Sequence, residues 1–225
     1  MHKIPTSLEK YEARKKKLAA LEGKNWKELD ANFHDDHLII GNLVVMSRWE
    51  EPYMKELADL ATLKGGDILE VGFGMGISAS FVEKHEINSH TIIEAHPKVF
   101  EKAKEWKEST SHPERIKLLE GFWQEIISKL PSNNYDGILF DTYAVTAEEI
   151  HRNHFPFFKY AHRLLKPGGI FTYYSDEREK LSEEHLALLE SAGFKSIKTH
   201  LCEISPPENC EYWDHKYIVV PEVRK

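Results

Sequence analysis

The sequence predicts a doubly wound α/β fold built on a seven-stranded sheet. From Asp67 onward, short apolar runs alternate with segments of helical spacing, the rhythm of parallel strands joined by crossover helices. The first run ends in a glycine-rich turn, Gly72-Phe73-Gly74-Met75-Gly76, of the kind that lets a ligand approach the backbone. Beyond the Lys166-Pro167-Gly168-Gly169 turn, the alternation gives way to two strand-like runs around Pro206-Pro207 that fit a closing antiparallel pair. At 225 residues the chain suits one core that buries roughly 70–75% of the unfolded surface. No repeat, low-complexity tract or Gly/Ser linker divides it, so residues 1–225 read as a single domain: an N-terminal extension, 1–62, and a core, 63–225.

Each element has its own signal. The extension is charged and expected to be helical. Ser7-Leu8-Glu9-Lys10 opens it with a capping-box pattern, although Lys10 stands where an acid or Gln is usual. Leu8, Tyr11, Leu18 and Leu21 share a face, and Gly23 stops the run. Strands are expected at 68–71, 91–94, 116–119, 137–140 and 169–174, with helices near 77–86, 98–108, 122–130 and 147–164. A helix over 181–192 ends at Gly193, and strands over 194–203 and 212–220 follow.

Composition removes several function classes. Lys+Arg number 30 against 37 Asp+Glu, so 30 − 37 gives a net charge of −7, which argues against nucleic acid as the main ligand. The basic run Arg14-Lys15-Lys16-Lys17 reads as a solvated helix face. At 41% hydrophobic and 30% charged residues, the chain is not disordered or fibrous. No stretch approaches the ~18 apolar residues of a membrane helix, and Met1-His2-Lys3-Ile4-Pro5 lacks a signal-peptide core. Two cysteines, Cys202 and Cys210, are too few for a disulfide scaffold or a four-thiolate metal site. His34-Asp35-Asp36-His37 and His151-Arg152-Asn153-His154, the second expected on a helix, come without a third ligand at recognisable spacing, so no metal is expected. The expectation is a soluble, cytoplasmic protein, monomer or homodimer, with no nucleic-acid or membrane partner.

A cofactor site is expected at the glycine turn. Glu94 ends the second strand 22 residues after Gly72, where an acid reaches the hydroxyls of a ribose. That serves NAD and S-adenosylmethionine equally. Ile77, however, stands where a dinucleotide turn carries its last glycine. The fourth strand also ends in Asp141-Thr142-Tyr143, placing an acid beside the turn, which suits chemistry at a cationic centre better than hydride transfer. The balance favours a methyltransferase.

Longer motifs narrow the reading. Arg48-Trp49-Glu50-Glu51-Pro52-Tyr53-Met54, the run from Glu70 to Ile77, Gly121-Phe122-Trp123, Phe140-Asp141-Thr142-Tyr143, Leu164-Leu165-Lys166-Pro167-Gly168-Gly169 and Ser205-Pro206-Pro207-Glu208-Asn209-Cys210 together resemble guanidinoacetate N-methyltransferases. Glu94-Ala95-His96-Pro97 is more similar to their sister group, the type-2 protein arginine N-methyltransferases. The resemblance implies a Rossmann-like methyltransferase sheet with residues 1–62 as a helical lid, and S-adenosyl-L-methionine as cofactor. It places the methionine and sulfonium part at Gly72, Phe73, Gly74, Met75, Gly76 and Ile77, the ribose on Glu94, and the adenine among Ala95, His96, Phe122 and Trp123. Trp26, Met46, Met54 and Asp141 match further cofactor-contacting positions.

A guanidinium is cationic, with a pKa of about 12.5–13.8, and so is the cofactor's sulfonium. Both need carboxylates in a dry site, and a planar guanidinium accepts two in forked geometry. By resemblance Glu50 and Asp141 grip the guanidine and Asp141 takes the proton it loses. Two departures bear on the substrate. Ser47 stands where creatine-forming members carry another acid, and the short loop Ser175-Asp176-Glu177-Arg178-Glu179-Lys180 offers Asp176 and Glu177 where a substrate carboxylate would be received. The expected reaction is methylation of a small guanidino metabolite, such as guanidinoacetate, arginine or a related guanidine. A type-2 protein arginine N-methyltransferase is the first alternative, against which the lack of room for a substrate-recruiting second domain weighs. A non-catalytic cofactor-binding module is the second.

Overall fold

The computed structural model describes residues 7–225, Ser7 by its backbone alone. The leader reading at Met1 to Pro5 and the capping role of the Ser7 side chain lie outside the described residues. Helix α1 (Ser7–Ala19) buries Leu18 and packs Tyr11 and Leu21 around it. Leu8, expected on that face, is 69% exposed; Lys10 is buried instead, its ammonium donating to the Trp213 carbonyl at 3.2 Å.

The extension is not helical throughout. Between its helices lie β1 (Ala31–Phe33), β2 (His37–Ile40) and β3 (Leu43–Ser47), an antiparallel sheet in that order. Strands of three to five residues are too short for a readable period, which is why composition alone suggested helix. Helix α2 (Glu51–Ala61) follows, with Pro52 in its first turn, where a missing N–H costs nothing. Its buried face, Tyr53, Met54, Leu57, Ala58 and Ala61, lies under the main sheet, so this helix belongs to the core.

The main sheet is assembled from β4 (Asp67–Val71), β5 (Ser89–Glu94), β6 (Ile116–Glu120), β7 (Tyr135–Phe140), β8 (Leu165–Tyr173), β9 (Ser196–Glu203) and β10 (Tyr217–Arg224). The order is β6-β5-β4-β7-β8-β10-β9: the first five pair in parallel and β10 pairs antiparallel with both β8 and β9. Helices α3 (Ile77–Val82), α4 (Pro97–Ser109), α5 (Trp123–Ile126), α6 (Phe158–Leu164) and α7 (Glu183–Ser191) supply the covering layers. Successive strand residues serve opposite faces, as the two-residue period requires. Leu69, Val71, Ile138, Phe140 and Val219 meet α5, α6 and α7, whereas Ile68, Leu139, Ile218 and Val220 meet α2 and α3. Among the described residues no helix is long and apolar enough to cross a membrane.

Two boundaries depart furthest from expectation. The helix expected over 147–164 shrinks to α6, because Pro156 has no N–H to continue a helix and forms a short 3₁₀ turn, Phe155–Phe157. His151 and His154 therefore sit on a turn, not on one helix face, with His151 at φ +62°. The last strand begins at Tyr217 instead of 212, since Tyr212 and Trp213 turn inward to pack. Pro221 is tolerated in β10 because only Val223 and Arg224 register with β8 there. The Val219 carbonyl accepts the Tyr53 hydroxyl at 2.9 Å and the Ser175 hydroxyl at 2.7 Å, tying β10 to α2 and to the loop after β8.

Candidate active site

Strand order reverses beside β4, with β5 and β6 to one side and β7 and β8 to the other. Such a switch point opens a crevice at the carboxyl ends of the strands. Gly72 follows β4 at φ +96°, and a Cβ there would lie 1.9 Å from the Asp141 carbonyl oxygen, so only glycine lets the ends of β4 and β7 close up. At Gly74, φ +55°, a Cβ would meet the Met46 sulfur at 2.7 Å. The two glycines leave the turn's backbone bare along a cavity of about 1200 Å³, its open mouth included.

Glu94, at the end of β5, presents its carboxylate to this cavity. The Phe73 N–H donates to Oε2 at 2.9 Å and the His96 N–H to Oε1 at 2.7 Å. Each oxygen keeps acceptor capacity for a ligand hydroxyl. Burial raises this carboxyl, and the backbone donors oppose the rise. Trp26, Met46, Gly72, Gly74, Ala95, Phe122, Trp123 and Asp141 line the same cavity. Trp26 stacks on Tyr143 with centroids 6.2 Å apart, which sets the segment after α1 against the cavity.

Other expected contact residues sit behind this surface. Met54 is fully buried beneath the sheet. The Phe73 ring packs on Trp106 at 5.3 Å, leaving its N–H to hold Glu94. Met75 gives its N–H to the Met46 sulfur, Gly76 opens α3 at φ +70°, and Ile77 is buried in the first turn of that helix. The His96 ring nitrogen Nε2 lies 2.9 Å from the Leu29 carbonyl and anchors the extension. These six are not among the residues lining the cavity.

The far end of the cavity is acidic. Glu50, 4% exposed, accepts the Ser47 N–H and the Tyr212 hydroxyl on Oε2, both at 2.8 Å. Burial lifts its carboxyl to about 7, against the pull of these donors. Asp141 stands well above the usual carboxylate range, through burial first and then the charges of Glu50, Glu70 and Asp176. Asp176 and Glu177, expected together, point to different places. Asp176, at φ +56°, lines the cavity 3.2 Å from His151 Nδ1. Burial acts to raise it, but His151 and Arg14 bring it down to about 2. Glu177 turns into the adjoining cleft, accepting the Ser182 N–H at 3.1 Å and lying 3.4 Å from His185 Nδ1.

Among the lining residues, Arg14, Tyr143, Tyr174 and Tyr212 carried no assigned role in the sequence. For Arg14 a signal existed, because positions 11, 14, 18 and 21 share the helix face that Leu18 buries. Tyr212 reaches Glu50 across 162 residues, and no local pattern records that.

A family model described as guanidinoacetate N-methyltransferase matches residues 20–225. The chain belongs to the guanidinoacetate N-methyltransferase family. Proteins named protein arginine N-methyltransferase 2 are also similar. The one from Kluyveromyces lactis is 30% identical over 167 residues, covering 69% of this chain and 39% of that protein. The Neurospora crassa protein is 33% identical over 170 residues, covering 65% and 39%. The chain thus spans about two fifths of the length of these relatives. Among solved structures, spermidine synthase from Thermotoga maritima superposes with a TM-score of 0.59 over 87% of this chain and 72% of that one, at 16% identity, a likeness of fold.

As a guanidinoacetate N-methyltransferase family member, the chain uses S-adenosylmethionine as its cofactor. The residues present fit it: Gly72 and Gly74 leave room a Cβ would fill, and Glu94 offers two acceptors for ribose hydroxyls. Glu94→Ala is expected to weaken binding of the cofactor by about 1–3 kcal/mol, the range for hydrogen bonds to a charged group. Titration calorimetry checks this, and an unchanged affinity would remove Glu94 from the ribose site.

Proposed function

We propose that this guanidinoacetate N-methyltransferase family chain methylates a guanidino nitrogen of a small metabolite. The observation that carries the reading is the pair Glu50 and Asp141, two carboxyls in the cavity that holds the glycine turn, with the charges of Glu50, Glu70 and Asp176 all pushing Asp141 upward. Buried like charges without a cation are costly, and a guanidinium is the cation whose fork fits two carboxylates. Bound S-adenosylmethionine supplies a methyl group on a cationic sulfur. Glu50, itself held by Ser47 and Tyr212, fixes the guanidinium's orientation. Asp141 accepts the proton that the attacking nitrogen gives up, and its raised pKa makes it a stronger base than an ordinary carboxylate. Trp26 and Tyr143 stack above the cavity and exclude water.

Methylation of arginine within a protein is the second reading. The relatives' names favour it, as does the open cleft that shares Arg14, Asp176 and Tyr212 with the cavity and offers space for a longer substrate. A methyl-labelled cofactor, supplied with a panel of free guanidines and separately with an arginine-containing peptide pool, separates the two. Label in free guanidines alone supports the small-metabolite reading. Label in peptides alone replaces it, and label in neither sinks guanidine methylation.

A further inference from the structure

Arg14 is a half-buried cation that the proposed chemistry leaves unused. Helix α1 carries it into the cavity, where Nε donates to the Tyr143 hydroxyl at 3.0 Å and the guanidinium carbon lies 4.5 Å from the centre of the Tyr143 ring. That bond uses one of the five N–H donors of the group. Among the described residues Arg14 makes no other hydrogen bond, so its two-pronged end is available to a ligand. A guanidinium held on an aromatic face and partly shielded from water is a receptor for a carboxylate.

The groups acting on Asp141 are Glu50, Glu70 and Asp176. Those acting on Arg14 are Tyr143, Asp176 and Tyr174. Asp176 is common to both sets, and with Arg14 it lines both the cavity and the adjoining cleft, whereas Glu50 and Asp141 line the cavity alone. A substrate whose guanidinium rests on Glu50 and Asp141, with its other end toward the cleft, therefore meets one anion and one cation there.

We propose that Arg14 and Asp176 clamp a free α-amino-acid end of the substrate, the carboxylate on Arg14 and the ammonium on Asp176. This rests on the guanidine reading above and names the substrate class within it: a free guanidino α-amino acid such as arginine. Guanidinoacetate carries a carboxylate but no ammonium, and leaves Asp176 beside like charge. Agmatine has an ammonium but no carboxylate, and leaves the fork of Arg14 without an anionic partner. Arginine inside a peptide offers neither charge, because both are consumed in amide bonds.

The test compares L-arginine, agmatine and 5-guanidinovalerate, which is arginine without its α-amine. Each is titrated calorimetrically into the full chain loaded with S-adenosylhomocysteine, with methyl transfer assayed in parallel. L-arginine is expected to bind at least tenfold tighter than either analogue. Arg14→Gln should bring it down to the agmatine level while shifting agmatine less than twofold. Asp176→Asn should bring it down to the guanidinovalerate level. Agmatine binding as tightly as L-arginine to the unaltered protein would overturn the clamp, and that comparison needs no variant to fold. So would an Arg14→Gln variant that weakens arginine and agmatine alike. Guanidines methylated without regard to their tails would sink the clamp and leave guanidine methylation standing. The expected binding pattern without methyl transfer would do the reverse.

Discussion

Asp141→Asn is expected to lower turnover at saturating guanidine by about 10²–10⁴-fold, the loss that accompanies removal of a general base. The change keeps the shape of the side chain and the backbone bond from the Asp141 N–H to the Val71 carbonyl at 2.9 Å, so the ends of β4 and β7 stay joined. What disappears is the proton acceptor and a negative charge beside two cations. Single-turnover kinetics separate this from slow product release, and near-normal turnover would mean that another group takes the proton. The acid limb of the wild-type rate profile belongs to Glu50 and Asp141 together, since the charge of Glu50 raises Asp141 and protons leave interacting carboxyls in shared steps. With Glu50 at about 7, the rate should rise through neutral pH and not through the ordinary carboxylate range.

Glu50→Gln is expected to act on binding, rate and stability at once. It removes one arm of the guanidinium fork, so the apparent dissociation constant rises as well as turnover falling. Stability moves the other way. Glu50 is raised from 4.5 to about 7 on folding, so its favourable contribution is complete below pH 4.5 and is lost as pH rises through about 7. Glutamine does not ionise. At pH 8 the variant without ligand should therefore be more stable than wild type by up to about 3 kcal/mol, at 1.36 kcal/mol for each unit between the two values. The gap should close toward pH 4.5, where only the altered bonds to Ser47 and Tyr212 distinguish the two proteins. Urea unfolding at both pH values checks this, and a variant that is the less stable at pH 8 would mean that those bonds outweigh the burial of charge.

The parallel part of the sheet was legible because its strands are buried on both faces and announce themselves as apolar runs between turn residues. Expected strands at 68–71, 91–94 and 137–140 lie inside β4, β5 and β7. The cavity's two poles were legible for a related reason. Glycine at a strand end and an acid at the next strand end are local facts, and Gly72, Glu94 and Asp141 each sit where a strand stops. Less was readable where structure depends on distant partners. The three short strands before residue 48 hold their places through the core around Leu38 and Ile40, not through any period of their own. Arg14 was hidden by its neighbours: in the run Arg14-Lys15-Lys16-Lys17, charge drew attention to the solvent side, and the helix turns that one residue inward. The loop direction that parts Asp176 from Glu177 follows from positive φ at Asp176, which residue type alone does not dictate.

The Val219 carbonyl, which receives hydroxyls from both Tyr53 and Ser175, makes the last strand a member of the same cooperative unit as the guanidine pole. Tyr53 is on the helix that begins directly after Glu50, and Ser175 precedes Asp176. Local opening of β10 would therefore release both ends of the substrate pocket together, while the glycine turn and Glu94, held by β4 and β5, keep their bonds. Amide exchange should record that division. A ligand confined to the acidic end should slow exchange at 218–220, more than 160 residues from Glu50 along the chain, and a ligand confined to the nucleoside end should leave those amides near their unliganded rates.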